Sequence, residues 1–282
     1  MGTAGETDAN ELLGPELSPD GGRVAVDRTV QNNRDVWLMD LERGGRTRFT
    51  FDTAADAALL WSPDGTRIGF RSARKGPGNL YVKRSTGAGT EELLLETPND
   101  KWPQDWSKDG RFLLYMESDL KTGWNVKALA MTGNERKAVV VVNTPFDERH
   151  GQFSPDGRWV TYATNESGRF EIVVQPFPET TGKWQVSTGG GLQPRWRGDG
   201  KELYFVALDG TLMAASITAS GTAFQAGTPM ALFPTRIVGG SAPRLLNHQY
   251  AVSRDGRFLI DQPVEEATLS PITLILNWKP RP

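Results

Sequence analysis

The two histidines are the first residues in this 282-residue sequence that could bind a metal ion or transfer a proton. His150 and His248 each stand just upstream of a Ser-x-Asp-Gly sequence, four and five residues before its serine. Matching positions in a repeated structure could bring both imidazoles towards one opening, with Asp100, Asp105 and Glu148 nearby. Two isolated histidines are fewer ligands than such a site normally uses. We therefore predict polar rim residues, with no metal and no cofactor.

No convincing nucleophile or phosphate loop stands out in the sequence. The chain has no cysteine, which excludes thiol catalysis and disulfides. Ser241 lies between Gly239-Gly240 and Ala242-Pro243, a pattern that lacks the last glycine of a Gly-x-Ser-x-Gly elbow. The run Gly189–Gly191 precedes a predicted strand, so no helix N-terminus is available for a phosphate. These features predict no catalytic residue and no enzymatic activity in this chain.

A repeated turn sequence, Ser-Pro-Asp-Gly, predicts the scaffold that carries these residues. In such a turn, proline presets φ, aspartate binds the backbone two residues on, and glycine accepts a positive φ. A bulky apolar residue usually precedes the turn, and an alternating apolar run follows it, which is typical of strand, tight turn and strand. The spacing of 43 to 56 residues is close to the roughly 40–50 residues of a four-stranded propeller blade. Three exact copies centre on Asp20, Asp64 and Asp156, and three weaker copies, in which the proline or the serine is replaced, centre on Asp109, Asp199 and Asp255.

The predicted fold is therefore all-β, a six-bladed propeller of four-stranded antiparallel blades in one domain. A flexible leader at 1–11 precedes a domain at 12–282, with blades at about 12–53, 54–98, 99–145, 146–188, 189–235 and 245–279. Only three strands are evident in the last blade. A terminal segment should complete it, but the N-terminal candidate at 4–13 is a poor one. Either the chain is cut from a longer protein, which we favour, or the last blade has three strands.

Charge and hydropathy exclude several classes of partner. The 32 basic and 34 acidic residues nearly cancel, so the sequence offers no electrostatic case for nucleic acid. No apolar run approaches the roughly 20 residues that cross a bilayer. The first ten residues lack the basic start and apolar core of a secretory signal. We expect membrane attachment only through a flanking span outside this sequence.

The repeats resemble the WD-like propeller repeats of TolB-type proteins, most clearly at Trp61–Phe70 (WSPDGTRIGF) and Phe153–Tyr162 (FSPDGRWVTY). The segment Ile172–Trp196 and the ending Pro271–Trp278 (PITLILNW) further resemble the C-terminal sensor propellers of bacterial membrane-bound serine/threonine kinases. This resemblance implies a sensor module outside the cytoplasmic membrane, with any kinase activity in a separate domain. Pectate-degrading lyases of the same family use clustered histidines, which this sequence lacks.

In such a propeller, the loops entering the first strand of each blade open on the face opposite the Asp-Gly turns. We predict that this channel face binds a protein or peptide, because its polar and aromatic side chains suit such a ligand. The alternatives are a metal-assisted hydrolase or lyase with an axial site, and an assembly scaffold; Trp102 and Trp124 could also simply pack between blades. The predicted contact residues are Asp56, Lys101, Trp102, Asp105, Trp124, Arg149, His150, Gln152, Gln193, Arg195, Arg244 and His248. A second loop set on the same face contributes Asn32, Arg34, Arg74, Arg169 and Phe170.

Overall fold

The computed structural model describes residues 2–3, 12–133, 135–179, 181–237, 246–261 and 272–275. All regular structure in these ranges is β-strand, and no helix occurs in them. This confirms the predicted all-β class. It follows that the described ranges hold no helix of the length and hydropathy needed to span a bilayer.

The strands form six antiparallel sheets, and in five of them the strands pair in chain order. The N-terminal strand β1 (Gly2–Thr3) belongs to the last sheet. Sheet one contains β2 (Leu12–Leu17), β3 (Arg23–Val30), β4 (Asn33–Asp40) and β5 (Arg46–Arg48). Sheet two contains β6 (Asp56–Trp61), β7 (Arg67–Ser72), β8 (Asn79–Arg84) and β9 (Glu92–Leu95). Sheet three contains β10 (Lys101–Trp106), β11 (Phe112–Asp119), β12 (Gly123–Ala130) and β13 (Ala138–Val142).

The remaining three sheets follow the same plan with one elaboration. Sheet four contains β14 (Glu148–Phe153), β15 (Trp159–Thr164), β16 (Glu171–Pro176) and β17 (Trp184–Gln185). Sheet five contains β18 (Leu192–Trp196), β19 (Glu202–Val206), β20 (Thr211–Ser220), β21 (Ala223–Ala226) and β22 (Met230–Pro234). Sheet six contains β23 (Tyr250–Val252), β24 (Phe258–Asp261), β25 (Ile272–Ile275) and β1. In sheet five, both β21 and β22 pair with the long strand β20.

The Ser-x-Asp-Gly turns join the first and second strands of a sheet through a recurring set of hydrogen bonds. The Ser18 hydroxyl donates to Asp20 at 2.5 Å and accepts from the Arg23 N–H at 2.9 Å. The Gly21 N–H donates to the Ser18 carbonyl at 2.8 Å, with Gly21 at φ 73°. This network lowers the pKa of the Asp20 carboxyl, chiefly through the Ser18 hydroxyl. Equivalent bonds are made by Ser62, Ser107, Ser154 and Ser253.

Close contacts divide the chain into two compact units, residues 1–103 with 247–282, and residues 104–246. In the first unit, Ile68 and Phe70 of sheet two pack with Val36 of sheet one in a core from which water is excluded. In the second unit, Trp159 of sheet four packs with Phe205 and Phe224 of sheet five. Sheets adjacent in sequence thus bury their apolar faces against each other, as period-two alternation predicts.

The last sheet is completed by the N-terminus. Gly2 and Thr3 of β1 pair with Leu274 and Thr273 of β25. The fourth strand therefore comes from residues just upstream of the segment 4–13 considered in the sequence analysis. A two-residue strand has no apolar pattern, so the sequence could not reveal it. The single-domain boundary at 12–282 and the division into six blades remain predictions.

Candidate functional site

Four of the first strands carry a bulge at the same place, and this bulge sets the direction of the predicted site residues. The register of the first strand shifts after Leu13, Ala57, Arg149 and Leu192. The residue that follows each of these has a positive φ: Gly14 at 61°, Ala58 at 50°, His150 at 55° and Gln193 at 57°. Bulges turn the strand locally and commonly lie beside functional sites. Two predicted contact residues, His150 and Gln193, therefore occupy the bulge itself.

In sheets two, three and four, the first strand begins with an ionisable residue that is fully buried. This residue stands two positions before the bulge, or before the equivalent position in sheet three. Asp56, Lys101 and Glu148 are each 0% exposed. Asp56 accepts from Arg74 at 3.1 Å. Lys101 donates to the Asn79 side chain at 3.0 Å and to the carbonyls of two residues in the preceding loop. Each of these charges is thus satisfied inside the fold, and Lys101 has no ammonium donor left for an external ligand.

Glu148 differs from Asp56 and Lys101 because few groups compensate its buried carboxyl. Its Oε1 accepts from the Thr144 hydroxyl, while its Oε2 is buried without a hydrogen-bond partner among the described residues. Burial raises the pKa of the Glu148 carboxyl to about 7. Such a carboxyl can give or accept a proton at neutral pH, which is a property of both general acids and pH switches.

In the first unit, Trp102 lies at the centre of a cluster of charged side chains. Its indole N–H donates to Asp100 at 3.1 Å. Arg71 lies 5.1 Å from the ring centroid and donates to Asp100 at 2.8 Å. Arg34 lies 5.9 Å from the same ring. Both guanidinium groups are within cation–π range, so the half-buried indole is held in one orientation.

Asp27, which was not among the predicted contact residues, anchors this cluster. Asp27 is 1% exposed and its Oδ2 accepts from Arg34, from the Asn247 side chain at 2.8 Å and from the Ala58 N–H at 3.1 Å. The last bond ties the carboxylate to the bulge of the neighbouring sheet. An aspartate within the alternating run Arg23–Asp27 was the available signal, because a charged residue at an inward position usually has a partner.

In the second unit, Arg149 is held in a comparable way. It donates to Asp147 at 3.0 Å, and its guanidinium lies 5.3 Å from the ring of Phe170. Asp147 also accepts from the backbone N–H of Trp124 at 2.9 Å, so the carboxylate joins two predicted contact residues. The Arg149 side chain is 12% exposed, which leaves it reachable from solvent.

Other predicted residues tie adjacent sheets together. Asp105 accepts from the Phe153 N–H at 2.8 Å, and Gln152 accepts from the Trp196 N–H at 2.6 Å. Their side-chain oxygens thus bind the backbone of the next sheet. Three further predicted residues are buried: Gln193, Arg195 and His248. Arg244 lies outside the described residues, as does Ser241.

The predicted site residues therefore divide into two kinds. Trp102, Trp124 and Arg149 are partly exposed and held by carboxylates, whereas Asp56 and Lys101 are committed to the interior. Within the described part of the chain, no group of three or more His, Asp or Glu side chains is placed to hold a metal ion. The assignment of these residues to a ligand contact remains a prediction.

Comparison with known proteins decides the family. Residues 7–175, more than half of the chain, match the family described as TolB beta propeller domain. The chain belongs to this family. The putative TolB of Agrobacterium tumefaciens has the same fold, with a TM-score of 0.68, 16% identity and coverage of 94% of this chain and 91% of that one. The predicted propeller class and the resemblance to TolB-type repeats are thereby confirmed.

Two curated proteins similar in sequence to this chain are longer than it and differ in kind. The uncharacterized peptidase YuxL of Bacillus subtilis is 26% identical over 190 residues, covering 54% of this chain and 29% of the relative. The Tol-Pal system protein TolB of Helicobacter pylori is 23% identical over 156 residues, covering 55% of this chain and 37% of the relative. The chain thus spans about a third of these relatives. A manganese complex of oligogalacturonate lyase shares the fold at a TM-score of 0.60 and 14% identity, covering 93% of this chain and 89% of the lyase.

The prediction that this chain is not an enzyme is contradicted by these relatives. One of them is named as a peptidase, and a lyase shares the propeller fold. The prediction was based on the absence of recognisable sequence motifs. Propeller loops can bring together groups from distant parts of the sequence, and such groups leave no short motif. The buried carboxyl of Glu148, whose pKa is raised to about 7, is one group that no short sequence motif marks.

Proposed function

We propose that this propeller recognises a protein or peptide at the ends where its first strands begin. The observation that supports the proposal is the Trp102 cluster, in which Asp100 holds the indole N–H and two arginines lie against the ring. Tryptophan and arginine are the residue types most enriched at energetic centres of protein interfaces. Because their partners already fix their orientation, binding would cost little side-chain entropy.

A similar arrangement in the second unit supports the same function. Arg149 is fixed by Asp147 and by the ring of Phe170, while it remains partly exposed. A guanidinium so held can donate to a peptide carbonyl or a carboxylate with defined geometry. Each cluster thus combines an aromatic ring with a guanidinium group in a fixed orientation.

The broader setting of this recognition is also part of the proposal. Membership of the TolB propeller family supports a protein-binding role. The resemblance of Ile172–Trp196 and Pro271–Trp278 to sensor propellers of membrane-bound kinases supports a place outside the cytoplasmic membrane, within a longer receptor kinase. Separation of cell fractions and detection of the native protein would test this location.

Selection of binding peptides tests the recognition site directly. Peptides displayed on phage would be selected against the purified chain, and the affinity of the best one would be measured for Trp102→Ala and Arg149→Ala. We expect a loss of about tenfold or more in at least one of them, the size typical of interface centres. Lys137→Ala, at an exposed position in the loop between the third and fourth strands of sheet three, is the matched control. Thermal unfolding of each variant would show that the fold is kept, and wild-type affinity in both would exclude the proposed site.

A second candidate is that the propeller presents peptides to a peptidase. The similarity to YuxL supports it, although this chain covers only 29% of that protein. Under this proposal, the natural full-length protein hydrolyses fluorogenic peptides, and Trp102→Ala raises KM more than it lowers kcat. No hydrolysis by the full-length protein over a broad peptide set would exclude it.

A further inference from the structure

A groove in the second unit lies at the other end of the first strands from the site described above. Its volume is about 630 Å³. The Asp-Gly turns that follow β14 and β18 form its sides, and the end of β20 forms one wall. Trp159 and Trp196 line it between these turns. We call it the turn-face groove.

One wall of the turn-face groove is an open strand edge. The strand β20 extends ten residues, but β19 pairs with it only as far as Ser216, followed by a bond of 2.8 Å from the Ile217 N–H to the Lys201 carbonyl. In a strand, backbone groups alternate between the two edges, so the N–H and carbonyl of Ala219 point the same way as the Ile217 N–H. Thr218 and Ala219 line the groove. No described residue binds these two backbone groups of Ala219.

The opposite edge of the same segment is already paired, which keeps it extended. Residues 217–220 of β20 pair in register with residues 223–226 of β21. Ala219 also packs against the core that contains Trp159 and Trp196. The open edge is therefore a fixed template for another strand, which is the feature used in recognition by strand addition.

The tryptophans supply two hydrogen-bond donors that the fold leaves unused. Trp159 and Trp196 are 2% and 6% exposed, and neither indole N–H has an acceptor among the described residues. Trp61 and Trp106 precede the turns of their sheets as Trp196 does, yet their indole N–H groups bind the carbonyls of Glu16 and Gly110. Both indole N–H groups are themselves buried, and because the two residues line the groove, their resonances report on its occupancy.

The charges at the rim favour an acidic ligand. Asp156 is bound by its own turn and by Arg158 at 2.7 Å, and Asp199 accepts from the Lys201 N–H at 3.0 Å. Lys108 and Lys201 also line the groove, and both are exposed. Within the described ranges their ammonium groups have no ion pair. The rim carboxylates are thus used locally, while two lysines remain available for carboxylates of a partner.

We propose that the turn-face groove binds an extended, acidic peptide segment of a partner protein by strand addition to β20 at Ala219. The peptide backbone pairs with the open edge beside Trp159 and Trp196, and its acidic side chains face Lys108 and Lys201. This site is separate from the Trp102 and Arg149 clusters, so it does not depend on the function proposed for them.

Synthetic peptides test the proposal without a known partner. The probe is a short acetylated, fluorescein-labelled peptide that alternates glutamate with valine. One control has lysine in place of glutamate, and another is methylated on alternate backbone nitrogens, which blocks pairing with a strand edge. We expect saturable binding of the first peptide only. Binding of the lysine peptide, equal binding of the methylated peptide, or no binding of the glutamate peptide would each overturn the proposal.

Variants and NMR place the peptide in the groove. We expect Lys108→Glu combined with Lys201→Glu to weaken binding by about tenfold or more, whereas Lys121→Glu, at an exposed position elsewhere, leaves it unchanged. The indole N–H resonances of Trp159 and Trp196, assigned from W159F and W196F, should move on titration. If these resonances stay in place, or if Lys121→Glu weakens binding as much as the double variant, the groove is not the site.

Discussion

Glu148 shows how much one residue depends on its immediate surroundings. Asp56, Lys101 and Glu148 begin successive first strands and are buried to the same extent. Arg74 compensates Asp56, and an amide and two carbonyls compensate Lys101, but Glu148 has only Thr144. The sequence placed these three residues at equivalent positions. The sequence could not show which groups compensate these buried charges, because Thr144 and Arg74 lie in loops whose paths are set by tertiary packing.

The raised pKa of Glu148 predicts a distinctive pH dependence of stability. Because the folded-state pKa is about 7, above the ordinary 4.5, the group favours folding at low pH and this contribution is lost as pH rises through 7. With about 1.4 kcal/mol per pKa unit, the loss between pH 5 and 8 is on the order of 2 kcal/mol. Urea unfolding should show that Glu148→Gln is more stable than wild type at pH 8 but not at pH 5. Glu135→Gln, at an exposed position, is the control, and a parallel pH dependence in wild type and Glu148→Gln would contradict the assignment.

The first-strand bulges are the main feature at the level of elements. The repeat predicted four-stranded antiparallel blades, and five of the six described sheets have four strands. The bulges were not predicted, since Gly, Ala, His and Gln occupy the positive-φ position and share no common signal. The hairpin of β20 and β21 was also missed, because Thr218–Ser220 continue a strand beyond its apolar pattern.

Adjacent glycine substitutions test the bulge. Ala57 and Ala58 are both buried, but only Ala58 has a positive φ. Each substitution removes one buried methyl group, worth about 0.8 kcal/mol. Both substitutions also add about 0.5–1 kcal/mol of unfolded-chain entropy, but only Ala58→Gly relieves left-handed strain, which is worth about 1–2 kcal/mol. Denaturant unfolding should therefore find Ala57→Gly less stable than Ala58→Gly by about 1–2 kcal/mol. Equal stabilities would contradict the bulge geometry.

For the whole molecule, the repeated turn sequence predicted the fold class, whereas the ends of the chain gave little information about the last sheet. Six turn sequences gave the class and the sheet composition, because each turn determines its own hairpin locally. Completion of the last sheet depends on β1, which pairs with β25 across nearly the full sequence. Such a distant pairing leaves no local pattern. The same limit explains Asp27 and Asn247, which are 220 residues apart and share a hydrogen bond.

Deletion of the first three residues tests this pairing. Without β1, the edge of β25 at Thr273 and Leu274 would lose its partner. We expect the free energy of unfolding to fall by about 1–2 kcal/mol, the worth of one or two hydrogen bonds, and the amide of Thr273 or Leu274 to exchange faster with deuterium. Thr3→Val, which keeps the strand backbone, should behave as wild type. Unchanged exchange after the deletion would show that β1 does not pair there.

The most direct test of the central claim is photo-crosslinking of a selected peptide to the propeller. A photoreactive amino acid would be placed at position 102 or 124, and in control proteins at Val140 or Met230, which are exposed on the last strands of their sheets. We expect the peptide to be captured from position 102 or 124, in competition with unlabelled peptide, and not from the controls. Capture from the controls alone, or none from 102 and 124, would contradict recognition where the first strands begin.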